Sequence, residues 1–217
     1  TDKRGNKQMS DAILYSDTET TGLLAKGHDA GSPRHPYICQ LGAQLVVDNR
    51  IVAEMNLLVK PNGWIIPVEA SAVHGITTDM CVAYGLPIKS VITLYGRLAQ
   101  RASLIVAHNF PFDQMMIWTE MIRAEAAPEL AAFLACPSFC TMDGSAPILN
   151  LPATPKMVNA GIAGPKKPNL GEAYQFFTGN KFEGAHDAMA DVRGCRVVHD
   201  GIIAYNANLA SKPIELD

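Results

Sequence analysis

The 217 residues predict an α/β fold, a mixed sheet flanked by helices. Three observations carry that prediction. Short apolar runs bounded by turn residues crowd the first part of the chain. Stretches with apolar residues at helical spacing dominate the rest. One more short apolar run, "SLIVAHN" at 103–109, interrupts those helical stretches.

Residues 12–16, "AILYS", run apolar into Asp17 and suit a central strand. A polar stretch with Gly and Pro follows from Ala25 to Pro36. Then "YICQLGAQLVVD" (37–48) and "RIVAEMNLLVK" (50–60) read as two strands joined at "DNR" by a tight turn, a hairpin. Three strands with short connections form an antiparallel half-sheet. "VEASAVHGIT" and "TTDMCVAYG" read as short helices. "PIKSVITLYGRLAQRA" places Ile88, Val91, Ile92, Tyr95 and Leu98 on one helical face, with Pro87 at its start. After the strand "SLIVAHN", "PFDQMMIWTEMIRAEAA" is a helix with Pro111 near its first position. Residues 143–169 are rich in proline and weak in periodicity, so they read as a long irregular connection. "NLGEAYQFFTG" and "AHDAMADVRGCRVVHDGIIAYNANL" close the chain as helices.

Composition narrows the function classes. With 48% hydrophobic and 18% charged residues, the chain can bury a core of ordinary size. No run of roughly eighteen apolar residues exists to span a membrane. The start, "TDKRGNKQMSD", lacks an apolar stretch and reads as a loose leader, not a secretory signal. The five scattered cysteines include no C-x-x-C pair, which predicts a reduced, cytoplasmic protein without a zinc site. A net charge of −3 argues against gripping nucleic acid by overall electrostatics. A site that recruits divalent cations would supply its own positive charge.

Five chemical residues stand out in three stretches. In "DTETTG", Asp17 and Glu19 are two apart on a strand and so share a face. Like charges held together call for a cation, although a polar strand end entering a turn has the same residues. In "HNFPFD", Asp113 lies in the first turn of a helix, where the helix dipole alone would favour it. His108 and Asn109 there suit a turn cap. In "HDAMAD", His186 precedes Asp191 by five residues, and Asp187 suits a helix cap. Each stretch has an ordinary structural explanation by itself.

Together, in this order and on these elements, the three stretches closely resemble the motifs of the DEDDh group of 3′→5′ exonucleases, which includes the proofreading subunit of bacterial replicative DNA polymerase. "VHGIT" (73–77) and the "CTM…KPNL" stretch from Cys140 to Leu170 are also similar to the family, and the resemblance covers roughly residues 12–204. It implies an RNase H-like, mixed five-stranded sheet flanked by helices. It implies a single domain over 12–207, with a leader at 1–11 and a tail at 208–217. Little chain follows the last helix, so no separate polymerase-tethering domain is expected.

The resemblance implies that Asp17, Glu19, Asp113 and Asp191 ligate two divalent cations, with Asp17 bridging them. Four carboxylates are hard oxygen donors suited to Mg²⁺ or Mn²⁺, and no cysteine is placed to favour zinc. Two such ions roughly 4 Å apart activate water and stabilise both oxygens of an in-line displacement at phosphorus. His186 is the expected general base, since imidazole changes charge in the physiological range. The related subgroup carries Y-x-x-x-D in the last motif. Here Asp187 occupies the position four before Asp191, so the histidine subgroup fits, with Asp187 as a non-ligand.

By the same resemblance, Thr20 and Leu23 lie beside the terminal nucleotide, with Leu23 as a wedge against its base. Val73 and His74 form the matching wall, and Asn109 and Phe112 line the groove. For Val73, plain core packing explains the residue equally well. Apolar and aromatic surfaces grip bases without reading sequence. Lys166, Lys167 and Lys181 are candidates for backbone phosphates, or simply solvated lysines. His28 and His35, in a segment longer than the family minimum, are not expected to be ligands. The implied activity is metal-dependent 3′→5′ hydrolysis of DNA at single-stranded or frayed 3′ ends, releasing nucleoside 5′-monophosphates, with a polymerase or repair partner. An RNA-trimming exonuclease of the same family and a non-catalytic nucleic-acid-binding module are the alternatives.

Overall fold

The computed structural model describes residues 11–210. The sequence opens with β1 (Ala12–Thr20), β2 (Ile38–Val47) and β3 (Arg50–Leu58), paired antiparallel. Asp48 and Asn49 turn the β2–β3 hairpin with φ of 48° and 62°, a left-handed pair that Asp and Asn tolerate. Three helices follow, α1 (Val68–His74), α2 (Thr78–Tyr84) and α3 (Ile88–Ala99). Then come β4 (Leu104–Ala107), α4 (Phe110–Arg123), α5 (Ala127–Ala135) and β5 (Ser138–Cys140). The chain ends with α6 (Thr141–Leu149), α7 (Pro155–Asn159), α8 (Leu170–Thr178) and α9 (Ala188–Ala210). The sheet order is β3-β2-β1-β4-β5, with β4 parallel to both β1 and β5. This is the mixed, helix-flanked α/β sheet that the sequence predicts, with the five strands that the family resemblance implies.

β1 runs through the acids instead of ending before them. β2 pairs along its whole length, setting Asp17 opposite Gly42 and Glu19 opposite Gln40. Strand alternation then divides β1 between two layers. Leu14 packs into the main core with α3 and α4, and the Ser16 hydroxyl meets Tyr95 of α3 at 3.2 Å. Tyr15 faces α9, joining Met189, Val192 and Cys195 in a second core. Asp17 and Glu19 continue the Tyr15 face and so project toward the start of α9.

Several elements escape the sequence reading for identifiable reasons. β5 is three residues long, too short to show any periodicity. Glu125, at φ 54°, breaks the predicted long helix, and Pro128 sits in the first turn of α5 instead of terminating α4. The stretch 143–169, read as an irregular connection, contains the rest of α6 and all of α7. Pro147 is tolerated inside α6, in its last turn. The predicted tail boundary at 207 falls inside α9, which continues to Ala210; residues 1–10 and 211–217 lie outside the described residues. Among the described residues, no helix is long and apolar enough to cross a membrane.

The remaining helices begin and end as their sequences dictate. α3 buries Val91, Ile92, Tyr95 and Ala99 along one face. Thr77 caps α2 by accepting the Met80 amide, and Asn169 with Glu172 forms a capping box on α8, which ends at left-handed Gly179.

Candidate active site

The site assembles at the C-terminal end of β1, where three sequence-distant stretches meet. β1 supplies Asp17 and Glu19, the first turn of α4 supplies Asp113, and the first turn of α9 supplies Asp191. His186 stands in the turn before α9, exposed, with a left-handed φ of 68°. Its backbone N–H donates to Asp191 Oδ2 at 3.0 Å, so the backbone ties histidine and acid together. Asp187 caps the helix by accepting the Ala190 amide at 2.9 Å, the cap role its sequence position suggests. One potential ligand atom each of Glu19, His186 and Asp191 lies within 4.8 Å of the others.

Thr18 anchors Asp113. Its backbone amide and hydroxyl both donate to Asp113 Oδ1, at 3.0 and 2.7 Å. Sequence alternation points Thr18 away from its acidic neighbours, so it escapes the motif reading. The side chain lies on the face where α4 packs, and that is where Asp113 approaches.

Four carboxyl groups crowded into a partly buried place resist ionisation. Burial first, then Asp113, Asp191 and Glu19, push Asp17 well above the usual carboxylate range. Burial, then Asp191 and Asp113, raise Glu19 to about 8. Burial lifts Asp113 to about 7 against the opposing pull of the Thr18 hydrogen bonds. Burial also lifts Asp191 to about 6, opposed by the His186 amide. This donor set is all oxygen, mutually repulsive and short of compensating cationic side chains. It fits hard divalent cations, which would remove the repulsion.

A cavity of about 550 Å³ opens beside the carboxylates, lined mainly by apolar surface. Thr20, Leu23, Val73, His74 and Phe112 all line it, joined by Thr18, Glu19, Thr21, Gly22, Pro67, Glu69 and Ala70. Leu23 is 88% exposed, and Val73 is 56% exposed, so neither is a plain core residue. Asn109 is not among the cavity walls. It is exposed at the head of α4 with φ 66°, and its carbonyl accepts the Phe112 amide.

Both histidines near the walls have structural work. His74 Nδ1 accepts the Ile76 amide at 3.1 Å, which leaves Nε2 protonated toward the Thr20 carbonyl at 3.3 Å. Burial lowers its pKa, so a neutral ring braces the wall. His108 bridges the Thr141 hydroxyl at 3.0 Å and the Pro168 carbonyl at 3.2 Å, tying together the two ends of the 141–168 excursion. His35 is buried within its own loop, with Nε2 3.1 Å from the Asp29 carbonyl. Among the described residues, neither His28 nor His35 joins the group that could share an ion. The candidate phosphate lysines already have acidic partners. Lys166 pairs with Glu172, Lys167 with Asp143 at 2.6 Å, and Lys181 with Glu183 at 3.8 Å.

Comparison with known proteins places the chain in a family. The RNase_T family model, described as "Exonuclease", matches residues 14–195. A DNA polymerase III subunit epsilon-like protein of Rhodobacter capsulatus is 42% identical over 103 residues, covering 46% of this chain and 13% of that protein. An uncharacterized exonuclease of Escherichia phage 186 is 33% identical over 116 residues, covering 54% of this chain and 52% of that protein. Exonuclease I of E. coli, in complex with a dT13 oligonucleotide, superposes with a TM-score of 0.69 at 18% identity, covering 92% of this chain and 42% of the other. A zinc-ion-bound form of its single-stranded DNA complex gives a TM-score of 0.66 at 17% identity, with the same coverages of 92% and 42%. The chain thus spans about half or less of the length of these relatives, and the likeness to exonuclease I establishes the RNase H-like fold. With the family model running from the core of β1 into α9, and so across every element that supplies a carboxylate, the chain belongs to the RNase_T exonuclease family.

Proposed function

We propose that this protein is a DEDDh-type, metal-dependent 3′→5′ exonuclease that removes nucleoside 5′-monophosphates from single-stranded or frayed DNA ends. One observation carries the reading: the His186–Asp191 turn stands against Glu19 of β1, beside an apolar cavity large enough for a nucleotide. Asp17, Glu19, Asp113 and Asp191 would hold two divalent cations, Mg²⁺ or Mn²⁺, which activate water and offset the charge developing at phosphorus. Asp17, whose ionisation every other acid of the site opposes, would gain most from holding a cation. His186 takes the proton of the attacking water, because its exposed ring can reach the site while its backbone is tied to Asp191. Leu23, Val73 and Phe112 hold the terminal base by apolar contact, which discriminates little among bases. Thr20 and His74 brace that wall through the His74–Thr20 hydrogen bond, and Asn109 contacts the strand outside the cavity.

The oligonucleotide complexes of exonuclease I and the epsilon-like relative support DNA as the substrate, and the epsilon-like relative supports a polymerase or repair partner. Digestion of matched 5′-labelled DNA and RNA oligonucleotides, with Mg²⁺, Mn²⁺ or a chelator, tests the reading. Expected are stepwise shortening from the 3′ end of DNA, mononucleotide products, and silence in the chelator. A mismatched 3′ end should shorten faster than a paired one. Preferential RNA digestion would transfer the assignment to an RNA-trimming enzyme. Inactivity of folded protein with both metals would favour a non-catalytic binding module.

A further inference from the structure

β2 contributes no ligand to the site, yet it touches both halves of it. In the β1–β2 register, Gln40 stands opposite Glu19 and Gly42 stands opposite Asp17. Both meet the first residue of α9. Gln40, 7% exposed, accepts the Ala188 amide on Oε1 at 3.2 Å. At Gly42, a Cβ would lie 2.9 Å from the Ala188 carbonyl carbon and oxygen, closer than such atoms approach. Here the absence of a side chain is what lets helix and strand come together. Ala188 is flanked by His186, two residues before it, and Asp191, three after it. The Ala188 amide is also one of the first-turn donors that α9 cannot satisfy within itself.

We propose that Gln40 and Gly42 are positioning residues that set the spacing between the Asp17–Glu19 pair and the His186–Asp191 turn, and through it the affinity for divalent cations. This rests on the metal-dependent reading above. Gly42 sets how closely the first turn of α9 approaches the strands. Gln40 sets its height along them, because a single acceptor fixes where the Ala188 amide points. Neither residue touches metal, water or nucleotide in this role. Both act through Ala188, which carries the turn as a unit with the Asp187 cap and the His186–Asp191 hydrogen bond. Groups that orient metal ligands in this indirect way commonly alter affinity when removed.

The test compares wild type with Gln40→Met, which keeps length and loses the acceptor, and Gln40→Glu, which keeps an acceptor oxygen. Gly42→Ala is the third variant. Each is titrated with Mn²⁺ by calorimetry, its Ala188 amide exchange is followed, and its fold is checked by circular dichroism. Gln40→Met should weaken Mn²⁺ binding about tenfold or more and speed exchange at Ala188. Gln40→Glu should keep the amide protected and bind Mn²⁺ at least as tightly as wild type, since the added carboxylate also draws cations. Gly42→Ala should weaken Mn²⁺ binding as Gln40→Met does. If it fails to fold, the Gln40 pair decides. A folded Gln40→Met variant with wild-type Mn²⁺ affinity overturns the positioning role and leaves the metal-dependent reading standing. Wild-type protein that binds no Mn²⁺ overturns that reading, and the positioning role falls with it.

Discussion

At the residue scale, each acid of the site is held in a form it would not choose alone. Asp17 has burial and four neighbouring carboxyls, Asp113, Asp191, Glu19 and Asp187, against its ionisation. Replacing it with Asn removes a repulsion in the metal-free protein and a ligand in the loaded one. Asp17→Asn should therefore unfold at a higher temperature than wild type in chelator, by a few degrees, while nuclease activity drops at least about a thousandfold. Thermal melts beside oligonucleotide digestion would show the opposite signs. His186 presents the contrasting case, because it enters the scheme as a base and its backbone already serves Asp191. His186→Ala should lose roughly a hundredfold or more in turnover yet bind Mn²⁺ within a few-fold of wild type. Wild-type turnover in that variant would remove the general-base role. The resemblance of three spaced stretches to a known family makes the five candidate residues legible. Thr18 is not, because its value lies in meeting Asp113, which is 95 residues away in sequence.

At the element scale, the loop that leaves β1 is held by one arginine. Arg123, near the end of α4, donates to the backbone carbonyls of Ser32, His35 and Pro36 and pairs with Glu120 at 2.7 Å. Its guanidinium also lies 4.4 Å from the Tyr37 ring centroid. Tyr37 in turn accepts the Thr21 amide on its carbonyl and donates its own amide to the Thr21 hydroxyl, on the cavity wall. Arg123→Met would leave buried Glu120 uncompensated and three carbonyls without their donor. A loss of about 3–5 kcal/mol in stability is expected, measurable by urea unfolding at neutral pH. Among molecules still folded, KM for an oligonucleotide should rise more than kcat falls, since Thr21 lines the proposed nucleotide cavity and is not one of the proposed ligands. Nothing in the sequence marks this arginine. It is one basic residue on an amphipathic helix, and its partners come from a loop some ninety positions earlier.

At the scale of the whole molecule, the site makes stability depend on pH and on cations together. Glu19, Asp113 and Asp191 have folded-state pKa values of about 8, 7 and 6, above those of unfolded chains. The folded protein therefore holds more protons than the unfolded one between roughly pH 4 and pH 8. Stability in chelator should be greatest at the acid end of that window and decline as pH rises through those values. Saturating Mn²⁺ should reverse the decline, because a bound cation favours the charged carboxylates. Melting temperatures from pH 5 to pH 8, with and without Mn²⁺, check the sign. A metal-free protein that gains stability with pH would contradict the crowding of the four carboxyls. The sequence by itself determined the fold class, the opening strands and most of the helices, because those depend on local period, turn chemistry and caps. It also picked out five candidate residues, because the types and spacing of three short stretches resemble the motifs of a known family. Only the tertiary structure decided how those patterns meet: Thr18 under Asp113, Gln40 and Gly42 under Ala188, Arg123 under the loop, and acids on the three proposed lysines. Those contacts join residues far apart in the chain, and packing, not local preference, chooses them.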